Sequence, residues 1–373
     1  MNHRSILDNR LNRILKAVSL EEAPDRVPVV LEYASFAARV TNTPQSEFLL
    51  NLERSIEVMI QAWHLVAEKA EADAINYGRF SPYNLSLGWL SKVAVPGVDL
   101  PENVPYQVTE KELLTTNDYD SILEKGWPKF YKTFLQERVF NDVPHEYLPW
   151  NQPAVDVRAE WEKIGVPVLK VGTVAPPFEY LCGGRGMANF YLDLLEIPDK
   201  LEAVMNEIIR HDRTNVYRKS KEEGYPAVWV GGWRTAPELL SPEIWRRFVW
   251  PYLTHLIHEV IDHKLIPLLH FDGNWDRELE RFKKLPAGKM IFAFDGYTDI
   301  IRAKEILGNH SCIMGDVPAV MLFNSTPEEV YEYSLTLVNK LGPRGFILHS
   351  GCDIPENAKL ENVQAMVSAA VNG

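Results

Sequence analysis

His270 and Asp272 stand two residues apart in LIPLLHFDG, and Cys352 lies far downstream in GFILHSGCDIP. Residues i and i+2 on a strand share a face, so the first two point the same way. An imidazole, a carboxylate and a thiolate are all accepted zinc ligands, and three protein ligands leave a position open for catalysis. The soft charge of a thiolate disfavours magnesium or calcium. Each residue also has a plainer reading. His270 suits a hydrogen-bonding role, Asp272 suits the cap of a helix beginning near Asp276, and a lone cysteine after glycine is usually inert. What joins the three is position, because each sits where a strand ends.

The strands that must carry them are short apolar runs: RVPVV (26–30), ADAINYG (72–78), VPVLKVG (166–172), AVWVGG (227–232), LIPLLHFDG (265–273), KMIFAFDG (289–296), SCIMGDV (311–317) and GFILHSG (345–351). Amphipathic stretches separate the later ones: DKLEAVMNEIIRHDRTNVYRKSKEEG, SPEIWRRFVWPYLTHLIHEVIDH and TPEEVYEYSLTLVNKLG. Ser241 and Thr326, each followed by Pro and Glu, read as helix N-caps, and Gly224 and Gly342 as stops. Apolar strands alternating with helices predict parallel pairing covered on both faces. About eight of them favour an α/β fold of the (β/α)8 TIM-barrel type, with a doubly wound sheet as runner-up. The expectation is one barrel domain over 1–373, interrupted at about 79–160 by a segment rich in Pro, Trp, Tyr and Phe and without clean periodicity. So long an insertion reads as a lid over one barrel end, or more plainly as a peripheral extension.

Reactive groups of such barrels cluster where strands give way to loops. That rule adds Glu32, Tyr33, Tyr77, Arg79, Phe80, Trp233, Asp295 and Asp316 as candidate substrate contacts, with Arg234 and Asp353 beside them. Cys182, in the Gly-rich YLCGGRG, is a weaker ligand candidate, and Cys312 reads as core. No G-x-S-x-G elbow and no G-x-x-x-x-G-K-[ST] loop occurs, which leaves serine hydrolases and P-loop enzymes without support.

The chain has 373 residues, 46% of them hydrophobic and 24% charged, and a net charge of −12. That composition excludes global disorder, and the acidic balance argues against a nucleic-acid binder. No run approaches the ~20 apolar residues that span a bilayer. The charged, helix-patterned N-terminus lacks a secretory core, and three widely spaced cysteines make no disulfide framework. A cytoplasmic enzyme is the expectation.

DRVPVV, LSPEIWRRFVWPYLTHLIHEV, LIPLLHFDGN, IMGDVPAVML and FILHSGCDIPENAKLENVQAMV together resemble the uroporphyrinogen decarboxylase superfamily, from about residue 10 to the C-terminus. The resemblance implies a (β/α)8 barrel with its site at the C-terminal face. True decarboxylases carry an M-R-Q-A-G-R segment after the first strand to hold tetrapyrrole carboxylates. Here that stretch runs from Glu32 to Arg39 with a single arginine, a poor clamp for a polycarboxylate. The other branch is similar to methylcobalamin:coenzyme M and O-demethylase methyltransferases, which hold zinc with a His-x-Cys pair and a later Cys. His270 and Cys352 match that pattern, and Asp272 replaces the first cysteine. The implied activity is zinc-dependent methyl transfer from a small methylated substrate, a methoxylated aromatic by preference, to cobalt(I) of a corrinoid carried on a partner protein. The alternatives are transfer from methylcobalamin to a thiol or tetrahydrofolate, a decarboxylase-type lyase, and a non-enzymatic docking scaffold for a corrinoid protein.

Overall fold

The computed structural model describes residues 3–373. Eight parallel strands surround one axis: β1 (Val30–Leu31), β2 (Ala74–Ile75), β3 (Lys170–Val174), β4 (Ala227–Gly231), β5 (Ile266–Phe271), β6 (Ile291–Phe294), β7 (Cys312–Val317) and β8 (Phe346–Ser350). β3 to β8 form one six-stranded sheet in chain order, and β1 and β2 a second, two-stranded one. Parallel bridges Val29–Leu348 and Ile75–Val168 join the two sheets at both edges and close the ring. The Leu348 N–H donates to Pro28 O at 2.9 Å and the Ile75 N–H to Pro167 O at 3.1 Å. The expected barrel is therefore the observed one.

Side-chain alternation explains its interior. Val30, Ala74, Leu169, Ala227, Leu268, Ile291, Cys312 and Ile347, one from each strand or its entry, form an apolar cluster separate from the main core. Cys312 belongs to it, as expected of a core residue. Ile14, Ala17 and Val18 of the first helix (His3–Ser19) join this cluster and plug the N-terminal end. Two residues further along the same strands, the inward positions become Glu32, Asn76, Trp229, His270 and His349. The apolar plug thus gives way to a polar layer at the C-terminal mouth, which is where chemistry belongs in this architecture.

One buried carboxylate ties the plug to the strands. Asp73 is fully buried; Arg13 reaches it at 2.5 Å and Arg26 at 2.7 Å. The Val29 N–H also donates to it at 2.8 Å. Removing one partner from such a set leaves uncompensated buried charge, so Asp73→Ala is expected to cost about 3–5 kcal/mol. A urea-unfolding midpoint measured beside the wild type checks this.

Several helices differ from their sequence outline. SPEIWRRFVWPYLTHLIHEVIDH is two helices, Pro242–Phe248 and Trp250–Asp262. Pro251 has no N–H to continue the first and sits in the opening turn of the second. The stretch from Asp199 also divides, into Pro198–Ile209 and Thr214–Glu222. Ser241 and Thr326 do cap: their hydroxyls accept from Ile244 N and Glu329 N. Gly342 follows its helix as expected but not in a left-handed conformation. A Cβ there would fall 2.2 Å from Val27 Cγ2, so close approach is what requires glycine. The segment 79–160 is more ordered than its composition suggested, with helices Tyr83–Trp89, Thr116–Lys125 and Trp127–Phe134 and a hairpin pairing Lys92–Ala94 with Gln107–Thr109. Among the described residues, no helix is long and apolar enough to cross a membrane.

Candidate functional site

β5 carries His270 to the mouth, the following loop carries Asp272, and the loop after β8 carries Cys352. One ligand atom from each lies within 4.8 Å of the other two, and no other such group occurs among the described residues. His270 Nε2 stands 3.1 Å from Asp272 Oδ1, with the ring only 6% exposed and the carboxylate 30%. His270 Nδ1 is buried without a hydrogen-bond partner. Burial disfavours a charged His270, but Asp272 and then Cys352 outweigh it and hold its pKa well above the usual value. Burial pushes the Cys352 thiol up, against the pull of His270. An imidazole, a carboxylate and a thiol gathered in this way have the ligand types and closeness that one zinc ion requires.

The loop bearing Asp272 is braced. Trp275 stacks on Phe271 with centroids 3.7 Å apart, and its indole N–H donates to the Asp272 carbonyl at 2.9 Å. Asp295 accepts from the Gly273 N–H at 2.8 Å and the Tyr297 N–H at 3.0 Å, so this predicted contact residue orients the loop beside the triad. Burial, with Asp272 nearby, raises its carboxyl.

Deeper in the polar layer lies a second group. Glu32 accepts from Asn76 and sits 3.3 Å from His349 Nε2. Burial opposes its charge, but His349, Lys170 and His270 hold the carboxyl down to about 2. Tyr77 donates to Asp353, whose carboxyl burial and Glu32 push up to about 7. The Lys170 ammonium lies 4.9 Å from the Tyr77 ring centre and 5.9 Å from that of Trp229. Burial lowers its pKa, against Glu32 and Asp353. Phe80 packs on Tyr77 and on Tyr106, so the insertion does reach the mouth. A cavity of about 460 Å³ opens there between Tyr106 and Asp353–Asn357. A cleft of about 720 Å³ around Glu47 and Glu146 lies away from all of these groups.

Four sequence expectations fail. Tyr33 has the opposite parity to Glu32; it is fully buried among the outer helices, its hydroxyl donating to Met59 O at 2.9 Å. Arg79 runs toward Tyr225 and Glu223 at the far ends of the strands, and burial lowers its pKa. Asp316 accepts from Tyr333 of the helix Pro327–Leu341 at 3.0 Å. Cys182 is sealed in the helix Pro177–Arg185, where burial pushes its thiol up. Trp233 instead lies over the Arg234 guanidinium, 4.2 Å from ring centre to Cζ. The structure adds Lys170, Asn76, Tyr106, Trp229, His349 and Glu179, which the sequence reading does not single out. A lone lysine in an apolar strand and a histidine at a strand end were the available signals for two of them.

Burial raises the Asp316 carboxyl to about 7. A carboxyl whose folded pKa is raised contributes stability that is present below about 4 and lost as pH rises through about 7. Asp316→Asn is therefore expected to flatten that part of the stability–pH curve, by a few kcal/mol across the window, in urea titrations at successive pH values.

A model of the uroporphyrinogen decarboxylase (URO-D) family matches residues 157–372. The uroporphyrinogen decarboxylase of Geobacter sulfurreducens is 25% identical over 232 residues, 60% of this chain and 65% of that protein. The chain thus aligns with slightly less than two thirds of that relative's length. The chloroplastic enzyme of Zea mays is 24% identical over 326 residues, 84% of this chain and 72% of its own. A methyltransferase from Methanosarcina mazei shares the fold with a TM-score of 0.68 at 17% identity, over 96% of both chains. A family match over more than half of the chain, on a closed parallel barrel, makes this protein a member of the uroporphyrinogen decarboxylase family.

Proposed function

We propose that this chain is a methyltransferase that takes the methyl group from an ether oxygen of a small methoxylated aromatic and delivers it to cobalt(I) of a corrinoid held by a partner protein. The observation that carries this reading is the meeting of His270, Asp272 and Cys352 within 4.8 Å at the barrel mouth. Those three would hold a zinc ion, which supplies Lewis acidity toward the ether oxygen when bound. Asp272, a carboxylate where the resembling methyltransferases have a thiolate, hardens that ligand set in favour of oxygen. In the transfer the methyl C–O bond breaks and a cobalt–carbon bond forms. Oxygen leaves with the bonding pair, and cobalt passes from Co(I) to methyl-Co(III).

The chain's own groups have separate tasks. Trp275 and Asp295 hold the Asp272 loop in place. Tyr77, Phe80, Tyr106 and Trp229 offer aromatic faces for a substrate ring. Lys170 offsets the carboxylates of Glu32 and Asp353 beneath them. The cytoplasmic setting and the separate corrinoid partner belong to the same proposal. A tetrapyrrole is less well served, since Arg39 is 69% exposed and its ion pair with Glu356 is 4.0 Å long.

Incubation with a Co(I) corrinoid protein and a panel of methoxybenzoates tests the reading by the absorbance of methylcobalamin. No methylcobalamin from any methyl ether overturns it. Transfer from methylcobalamin to a thiol or tetrahydrofolate would reverse its direction, and carbon dioxide release from uroporphyrinogen would replace it with the relatives' activity. Partner binding without turnover in any of these assays would leave only a docking role.

A further inference from the structure

Arg234 is fully buried, and none of its three guanidinium nitrogens has a hydrogen-bond partner. Its nearest counter-charge, Glu179 Oε2, is 3.7 Å away, beyond hydrogen-bond reach, and that oxygen is itself unpartnered. The Tyr191 hydroxyl, which interacts electrostatically with Arg234 and Glu179, is a third buried and unpartnered polar group. Buried polar groups are almost always satisfied, and a buried unpaired cation is costly. Three such groups together indicate an occupant.

Their chemistry specifies it. Trp233 covers one face of the guanidinium at 4.2 Å, and Trp89 lies 5.8 Å from it. Stacking uses the face of the planar ion and leaves its in-plane N–H donors, the fork that matches a carboxylate. Glu179 Oε1, the other carboxylate oxygen, already accepts from the Thr235 N–H at 2.8 Å. Glu179 packs directly on Gly232, where an added Cβ would fall 2.0 Å from its Cδ. Burial pushes the Glu179 carboxyl up to about 7, so it tolerates an incoming anion better than an ordinary carboxylate would. Glu179 also interacts electrostatically with Asp272, so these buried groups and the triad share one electrostatic neighbourhood.

We propose that Arg234, with the Tyr191 hydroxyl, anchors a carboxylate of the substrate while the methylated oxygen lies toward His270, Asp272 and Cys352. This rests on the methyl-transfer reading for the identity of the reaction, but not for the binding. Arg234 is on this view a specificity-determining residue.

Calorimetric titration with 3-methoxybenzoate and its neutral isostere 3-methoxybenzamide tests it without turnover. The wild type is expected to bind the benzoate about 10- to 100-fold more tightly, the value of charge-assisted hydrogen bonds. Arg234→Met is expected to abolish that preference by weakening benzoate binding far more than benzamide binding, and Arg234→Lys to restore part of it. Arg234→Met/Glu179→Met removes both buried charges and serves if the single variant fails to fold. Equal affinity for the two ligands, binding of neither, or a preference that survives the loss of Arg234 overturns the anchor. A preference with no methyl transfer overturns only the reaction; methyl transfer with no preference overturns only the anchor.

Discussion

His270→Ala is expected to lose zinc and methyl transfer together while remaining folded. The side chain sits in the polar layer, one inward position above Leu268 in the apolar plug, so the ring's removal leaves the barrel's inner packing intact. Loss of even a supporting residue near a metal typically costs about 10- to 100-fold in affinity or activity, and a direct ligand costs more. The variant should therefore retain less than about a hundredth of wild-type metal affinity and turnover. Competition with a chromophoric chelator measures the first and methylcobalamin formation the second, with circular dichroism as the control for folding. Cys352→Ser should behave in the same way, because a serine hydroxyl stays protonated where a thiol gives up its proton to zinc. Full activity in either variant removes the basis for the proposed chemistry.

Asp272→Cys tests the choice of substrate atom. The change restores the two-thiolate pattern of the resembling methyltransferases and softens the ligand set. Zinc should remain bound, while transfer from a methoxylated aromatic falls by about 10²–10³-fold as charge on the departing oxygen loses support. Methyl transfer from methylcobalamin to a thiol should rise over the same substitution. Both rates can be followed by cobalamin absorbance in one series. An Asp272→Cys protein with unaltered ether activity would mean that the carboxylate has no part in selecting oxygen.

The chemistry-bearing residues were legible in the sequence to the extent that strand parity was. His270 and Asp272 share a face because they are two apart, and the closed ring brings Cys352 to them from the last strand. Tyr33 adjoins Glu32 and so turns outward, where it hydrogen-bonds to Met59, and strand-end position alone does not separate the two. Lys170 is hidden from the sequence for a related reason. The pairing of β3 with β4 slips between Lys170 and Gly172, and simple alternation from Leu169 does not assign the lysine to the interior. Asp316 looked like a rim carboxylate, but Tyr333, from an outer helix, claims it, and a single sequence does not announce such a tertiary hydrogen bond. Arg79 lies beyond its strand's end, in a segment whose direction the loop decides. Aromatic density masks the periodicity of the insertion's short helices, yet Phe80 and Tyr106 do reach the mouth. Glu179 and Arg234 stand out through complete burial and missing hydrogen-bond partners, which residue spacing does not encode.

The most direct test is X-ray absorption at the zinc edge on the purified protein, combined with its metal content. About one zinc per chain, bound by one sulfur near 2.3 Å and otherwise by nitrogen and oxygen, is the expected result. The sulfur signal should vanish in Cys352→Ser. A protein that transfers methyl groups with no bound metal, or whose zinc has no sulfur neighbour, would contradict the account.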